Sequence, residues 1–166
     1  MTDSENFTPL QRLLAWWSRL TTALDALQPL AALATRIYLA HVFLLSGLTK
    51  IRDWETTVAL FTDEYKVPLL SPALAAFMGT AGELVLPVLL VLGLGGRFAA
   101  LGLFVVNAVA VVSLSEIAPA ALQQHIFWGT LLAALAIYGP GAWSLERLLW
   151  PRFHQFTSRS GVEPMR

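Results

Sequence analysis

Long apolar stretches separated by short polar segments make up most of this chain. A hydrocarbon core of about 30 Å needs about 20 apolar residues in a helix. Four stretches meet that requirement, and they cover residues 30–48, 72–94, 98–114 and 124–138. The fourth ends at Gly139-Pro140-Gly141, which cannot continue a helix. The pattern predicts an all-α integral membrane protein, in which residues 30–142 form a bundle of four transmembrane helices.

The segment before the first span has a helical pattern of its own. Between residues 10 and 27, apolar side chains recur at helical spacing, at Leu10, Leu13, Leu14, Trp17, Leu20 and Leu24. This predicts an amphipathic interfacial helix with its tryptophans at headgroup depth. The alternative is a soluble helix packed on the bundle. We therefore expect an N-terminal interfacial segment at 1–29 and a juxtamembrane tail at 143–166, with a second interfacial stretch at 143–152.

Basic residues in the flanking segments predict the orientation, because Lys and Arg accumulate on the cytoplasmic side. With both termini cytoplasmic, three basic residues are external, namely Lys50, Arg52 and Lys66. The cytoplasmic side then holds seven, namely Arg12, Arg19, Arg97, Arg147, Arg152, Arg159 and Arg166. Seven against three favours cytoplasmic termini. The largest external loop, residues 50–71, is expected to form a short helix and a turn and to cap an opening in the bundle.

Composition agrees with the apolar pattern and excludes several classes of function. Hydrophobic residues make up 56% of the chain and charged residues 13%, about half the charged share of a soluble domain. The net charge is zero and there is no basic tract, so nucleic-acid binding is not expected. The chain has no cysteine, which excludes disulfides, thiolate metal sites and iron–sulfur clusters.

Polar residues inside the apolar spans are the candidates for a site. An ionisable group at bilayer depth is costly, so it should face protein and have a partner. Glu83, His41 and Asn107 lie near the centres of three different spans, and Arg36 lies about 7 Å from the level of His41. We therefore predict a buried polar pocket formed by Arg36, His41, Glu83 and Asn107. Arg36 is the preferred partner of Glu83, and His41 is the second choice.

Each of these residues also has a purely structural interpretation. An Arg–Glu pair can do no more than hold two helices together, and a lone histidine can be packed and satisfied without binding anything. Asn107 is most simply an interhelical hydrogen bond. No metal site is predicted, because His154 falls in the tail and only His41, His125 and Glu83 are left as ligands. Four residues at the external loop between spans three and four are expected to be solvated, namely Glu116, Gln123, Gln124 and His125.

Several stretches resemble the DoxX family of small bacterial membrane proteins over residues 30–150. They read TRIYLAHVFLLSGLTKIRDW, FTDEYKVPLLSP, GTAGELVLPVLLVLGLGGRFAALGL and HIFWGTLLAALAIYGPGAWSLERLL. The motif consists of an arginine early in span one, a glycine and a lysine at its end, a glutamate in span two, and a glycine-arginine pair that opens span three. In this sequence these residues are Arg36, Gly47, Lys50, Glu83, Gly96 and Arg97.

The resemblance implies a multi-pass protein of the bacterial inner (plasma) membrane with a four-helix bundle. The family takes its name from a thiosulfate:quinone oxidoreductase whose smaller subunit is related. Other members look like membrane partners of soluble redox or detoxifying enzymes. Some are encoded beside small metal-responsive modified peptides and their iron-dependent maturation enzymes, and the stretch LTKIRDW with LFTDEYKVPLLSP looks most like that group.

Two functions from different classes fit these residues. In the first, the chain is a membrane subunit or partner of a redox system, and its buried pocket binds a quinone headgroup or relays a proton. In the second, it is a non-catalytic anchor or assembly factor for a soluble enzyme or for a metal-responsive modified-peptide pathway. A third is a small-molecule or metal-ion carrier that works as an oligomer. The expected partners are the lipid bilayer and either a second protein or further copies of this chain, and whether the chain is itself a catalyst is left open.

Overall fold

The computed structural model of the chain describes residues 8–149. Within that range the chain forms five named helices: α1 (Pro9–Arg52), α2 (Trp54–Asp63), α3 (Pro72–Leu92), α4 (Gly96–Ser113) and α5 (Pro119–Tyr138). Among the described residues, α1, α3, α4 and α5 are long and apolar enough to cross a membrane. The prediction of an all-α membrane protein with four spanning helices is therefore confirmed. The predicted interfacial residues after 149, the basic residues Arg152, Arg159 and Arg166, and His154 lie outside the described residues.

The first helix differs from the prediction, because one element stands where two were expected. α1 has 44 residues and contains both the amphipathic segment and the first span, with Pro29 inside it. Thr8 and Gln11 form a reciprocal capping box at its start, and Pro9 occupies the first helical position. At 1.5 Å per residue the helix is about 66 Å long, about twice the hydrocarbon thickness. Only part of α1 can therefore cross the bilayer, and the interfacial position of its N-terminal half stays a prediction.

The largest loop contains a short helix and a turn, as the sequence predicted. Asp53 caps α2 by accepting hydrogen bonds from the Thr56 amide at 3.0 Å and the Thr56 hydroxyl at 2.7 Å. These bonds lower the pKa of the Asp53 carboxyl below its usual value. After α2, the amide of Lys66 donates to the carbonyl of Ser113 at 2.8 Å, beside a bridge between Tyr65 and Leu114. The chain that follows α2 is thereby fastened to the end of α4.

The order of packing follows the chain, because α3 lies against both α1 and α4, and α4 packs on α5. Leu39, Leu90, Leu103 and Leu132, one from each long helix, are fully buried at the centre. Since α3 touches two neighbours along its length, a polar group on its inner face has protein on both sides. This central position of α3 is what encloses Glu83.

The register between α1 and α3 decides which polar groups meet. A β-carbon on Gly47 would lie 3.1 Å from Cβ of Glu83, and one on Gly93 would lie 2.5 Å from Nη1 of Arg36. The two helices therefore run antiparallel, with Gly47 at the level of Glu83 and Arg36 at the level of Gly93. Arg36 precedes Gly47 by eleven residues, which is about 16 Å along the helix. Arg36 consequently lies at the end of the α1–α3 interface where α3 finishes, and Glu83 lies near the middle of α3.

Candidate functional site

A buried ion pair joins α1 to α3. The Nζ atom of Lys50 lies 2.6 Å from Oε2 and 2.8 Å from Oε1 of Glu83, and it also donates to Oγ of Ser46 at 2.9 Å. Glu83 is only 7% exposed. The ammonium uses its three protons on these three acceptors, so the pair is fully hydrogen-bonded on the lysine side. This is the arrangement that makes a buried charge tolerable in a membrane bundle.

The predicted partnership between Arg36 and Glu83 is wrong. Arg36 is fully buried, as expected, but its guanidinium donates to the carbonyl of Val91 at 3.1 Å, to that of Leu90 at 3.5 Å and to that of Trp143. These carbonyls lie in the last turn of α3 and in the segment after α5, and that of Leu90 also accepts from the Gly93 amide at 3.2 Å. Arg36 therefore closes the end of the bundle opposite the α2 loop, and the register described above keeps it away from Glu83.

The expectation that His41 joins the buried pocket is also wrong, because its side chain is exposed on the outer face of α1. At about 100° per residue, Arg36, Phe43, Gly47 and Lys50 lie on one side of this helix, and that side is the one turned to the protein. His41 points away from that side. A histidine at the right depth but on the wrong face cannot contribute to the site.

A second polar contact joins α4 to α5. The Nδ2 atom of Asn107 donates to the carbonyl of His125 at 2.9 Å, and Oδ1 of Asn107 lies 2.8 Å from Nδ1 of the His125 ring. The predicted interhelical hydrogen bond of Asn107 is confirmed. The expectation that His125 is a solvated loop residue is wrong, since α5 begins at Pro119 and His125 lies in its second turn. Proline favours the first helical position, and Pro119 was the signal that would have placed this start.

Two cavities meet at the ion pair. The inner cavity, about 260 Å³, lies among all four long helices and includes Ser46, Lys50, Tyr65, Glu83, Asn107 and His125 in its lining. The outer cavity, about 430 Å³, lies between α3, α4 and the chain around α2, and its lining is largely apolar apart from Lys50, Tyr65, Glu83 and Ser113. Lys50, Tyr65 and Glu83 line both cavities. They therefore form part of the wall between a polar space and an apolar one.

Tyr65 completes this wall from the loop side. Its ring stacks on Phe61 with ring centroids 4.9 Å apart. Burial raises the pKa of the Tyr65 phenol, and the negative charges of Glu83 and Glu64 raise it further. The hydroxyl therefore stays protonated at neutral pH and is available as a hydrogen-bond donor. No sequence pattern marked Tyr65, because its place depends on how the loop folds back onto α4.

The remaining motif residues lie at the opposite end of the bundle. Gly96 is packed against Pro140, and its amide donates to Oε2 of Glu146 at 3.3 Å. Arg97 is exposed, and its guanidinium lies beside Gly139. Together with Arg36, these residues hold the Gly139-Pro140-Gly141 segment against the ends of α3 and α4. The motif therefore divides into two groups. Arg36, Gly96 and Arg97 are structural residues at this end of the bundle, and Gly47, Lys50 and Glu83 lie beside the cavities.

The arrangement around the ion pair is suited to a small molecule with an apolar body and a polar head. Such sites are mostly apolar, with a few polar groups that fix orientation. In the outer cavity, the polar residues of the lining are Lys50, Tyr65, Glu83 and Ser113. Met78, Val105 and Val112 line the same cavity and are exposed on the outer surface of the bundle. An apolar molecule can therefore enter sideways, between α3 and α4.

The comparisons with known proteins give one match. A family model described as DoxX matches residues 31–116, which include Arg36, Gly47, Lys50, Glu83 and Asn107. No curated protein and no solved structure matches the chain. His125 and the segment after α5 lie beyond the matched residues.

Proposed function

The chain belongs to the DoxX family, and on that premise we propose that it is a membrane subunit or partner of a redox system whose outer cavity binds a quinone headgroup. The observation that carries the proposal is the Lys50–Glu83 pair in the wall of a largely apolar cavity of about 430 Å³. A quinone has an apolar ring and tail with two polar carbonyl oxygens. The apolar ring and tail match the largely apolar lining of this cavity, and the carbonyl oxygens match its few polar residues.

The side chains have separate roles in this proposal. A bound quinone takes up two electrons and two protons, and the electrons come from a reduced partner protein. The Tyr65 hydroxyl is the donor that would bind a ring carbonyl oxygen, Lys50 supplies positive charge and holds the Glu83 carboxylate in place, and Glu83 is the group that would hold a proton for transfer to that oxygen. Gly47 serves the site indirectly, because its close approach to α3 lets Lys50 reach Glu83.

The four apolar helices bring the chain into contact with the lipid bilayer as a multi-pass protein. We further propose the bacterial inner membrane as its location and the cytoplasm as the side of both termini, from the seven-to-three distribution of flanking basic residues. In that orientation both cavities lie in the external half of the membrane, since they are at the end of the bundle that carries α2. A quinone would then reach the site from the external leaflet.

The test is the quinone content of protein extracted from its native membrane in mild detergent, measured by mass spectrometry. Wild type should carry quinone in near-stoichiometric amount, and Glu83→Gln and Lys50→Met should bind it about tenfold more weakly, the effect of losing an interaction with a charged group worth about 1.5 kcal/mol, and should therefore retain clearly less of it. Glu116→Gln is the matched control, because Glu116 is exposed and lines neither cavity. Wild type without quinone, or equal quinone in Glu83→Gln, would contradict the proposal.

A second candidate function is a non-catalytic anchor or assembly factor. It is favoured by the N-terminal half of α1, where large apolar side chains are exposed, namely Leu10, Leu13, Leu14, Trp16, Trp17, Leu24 and Leu27. In this alternative a protein partner covers that half of the helix, or the loop at residues 50–71, and the ion pair only holds helices together. The same mass spectra separate the two functions, because an anchor would retain a stoichiometric partner, would carry no quinone and would be unchanged by Glu83→Gln.

A further inference from the structure

We infer that His125 and the Lys50–Glu83 pair exchange protons through water held in the inner cavity, and that Asn107 determines which nitrogen of His125 carries the resting proton. The role of this exchange in quinone reduction rests on the proposed function, but the exchange itself is measurable without a quinone. His125 takes the place in the site that the sequence had given to His41. It stands on the far side of the inner cavity from the outer one.

The inner cavity has the size and polarity that buried water requires. Its volume of about 260 Å³ exceeds that of a single water several times, and a buried water needs two to four polar partners. Each element around it contributes a polar group: Ser46 and Lys50 from α1, Tyr65 from the loop after α2, Glu83 from α3, Asn107 from α4 and His125 from α5. The titratable groups that face the cavity are therefore Lys50, Tyr65, Glu83 and His125.

Asn107 sets the tautomer of His125 by a simple constraint. Its Nδ2 group donates to the His125 carbonyl, so the amide is oriented with Oδ1 towards the ring. Oδ1 can only accept, so Nδ1 of His125, 2.8 Å away, must carry a proton. In the neutral ring Nε2 is then the basic nitrogen. Among residues 8–149, Nε2 has no hydrogen-bond partner, which leaves it available to water.

The position of His125 near one end of the bundle gives the exchange a route to water. Besides the inner cavity, it lines a largely apolar groove between α4 and α5. It lies in the second turn of α5, close to the end of the bundle that carries α2. His125 is therefore placed between the surface and the inner cavity, while Glu83 is placed between the inner cavity and the outer one.

Each passage moves one proton from water to Glu83, and the protein returns to its starting state when Glu83 passes that proton to the bound quinone. Nε2 of His125 takes a proton from water at the end of the bundle that carries α2, and the ring becomes doubly protonated. It releases that proton to water in the inner cavity, which passes a proton to the carboxylate of Glu83. The Nδ1 proton stays on the ring throughout. Two passages supply the two protons of one quinone reduction, and the partner protein supplies the two electrons.

The first test reads the tautomer and the hydration of His125 directly. The full-length protein is labelled with ring-¹⁵N histidine, His41 and His154 are replaced by glutamine, and ¹⁵N spectra are recorded in lipid bilayers. We expect the Nδ1–H tautomer and magnetisation transfer from water to Nε2. Asn107→Ala, which removes the acceptor beside Nδ1, should give a mixture of tautomers. An Nε2–H tautomer in the parent protein, or the absence of magnetisation transfer from water to Nε2, would overturn the inference.

The second test measures the coupling between His125 and Glu83. In the same labelled protein, Glu83→Gln removes a negative charge from the cavity, so the pH at which His125 titrates should fall by about one unit. The control Glu116→Gln should move it by less than about 0.3 unit, because an exposed charge is screened. If the pH at which His125 titrates is unchanged in Glu83→Gln, the proposed proton exchange is wrong. The proposed function is then decided by quinone retention, which is measured separately. Coupling in a protein that carries no quinone would support the exchange and count against the quinone site.

Discussion

Gly47 on α1 and Glu83 on α3 lie so close together that a β-carbon on Gly47 would be 3.1 Å from Cβ of Glu83 and 2.9 Å from Cδ2 of Leu84. The absence of a side chain at Gly47 is therefore a condition for the approach of the two helices. Lys50 follows one turn later on the same face of α1, and it meets the carboxylate because of that approach. The glycine and the ion pair form one structural unit.

Replacing Gly47 by a large residue should therefore push the helices apart. We expect Gly47→Leu to lower the free energy of unfolding by about 1–3 kcal/mol, as overpacking does in a close interface, and to lower the thermal midpoint in detergent. Gly79→Ala is the matched control, because a β-carbon there meets only Phe61, at an ordinary contact distance of 3.6 Å. Equal midpoints for Gly47→Leu and wild type would show that α1 and α3 are not held in this register.

Replacing one residue of the ion pair should lower the free energy of unfolding more than replacing both. Lys50→Met leaves the Glu83 carboxylate buried without its partner, which we expect to cost about 3–5 kcal/mol of stability. In Lys50→Met/Glu83→Gln no charge remains, so much of that stability should return. The check is a double-mutant cycle of thermal or denaturant unfolding in detergent. Additive effects of the two substitutions would mean that the two side chains do not interact in the folded protein.

Arg36 should matter for the opposite end of the bundle and not for the cavities. Arg36→Met removes the donor to the carbonyls of Val91 and Trp143, so we expect faster amide hydrogen exchange at the described residues after α5. Quinone retention should be unchanged in Arg36→Met. Glu83→Gln should lower quinone retention and leave amide exchange after α5 unchanged. Arg36→Met with normal exchange and reduced quinone would restore the pairing of Arg36 with Glu83 that the sequence suggested.

The cap of α2 should weaken in acid. The pKa of Asp53 is lowered in the folded protein, so the cap is fully effective above the ordinary carboxyl pKa of about 3.9 and is lost as the pH falls through the lowered value. We expect the amide of Thr56 to become less protected over that interval, after correction for intrinsic exchange rates. Asp53→Asn, which can still accept a hydrogen bond, should show no such pH dependence. A dependence that persists in Asp53→Asn would assign the effect to another carboxyl group.

The spanning helices were predictable because lipid imposes a simple requirement on sequence. Each segment must supply about 20 apolar residues and satisfy its own backbone, so α3, α4 and α5 are visible in the apolar pattern alone. The continuity of α1 was not visible, because Pro29 and the polar residues around it resemble a boundary. A proline inside a membrane helix is tolerated when neighbouring groups compensate.

The site was predicted in part, and the errors have one geometric cause. Glu83 and Asn107 were correctly placed in the interior. The partner of Glu83 was wrong because the first span was expected to end at residue 48, which made Lys50 a loop residue. α1 continues to Arg52, and Lys50 therefore lies inside the bundle. His125 was missed for the same kind of reason, since α5 begins five residues before the predicted start of the fourth span.

The contacts of Arg36 also bear on how the chain is made. Its acceptors Leu90, Val91 and Trp143 follow it by 54, 55 and 107 residues. When the first helix leaves the ribosome and enters the membrane, none of them has been synthesised, and an unpaired guanidinium in hydrocarbon is costly. The helix must therefore be inserted with its arginine unsatisfied, and the last acceptor arrives only when the fourth span is complete. A chain that stops before Trp143 therefore lacks one of the three acceptors of its first-helix arginine.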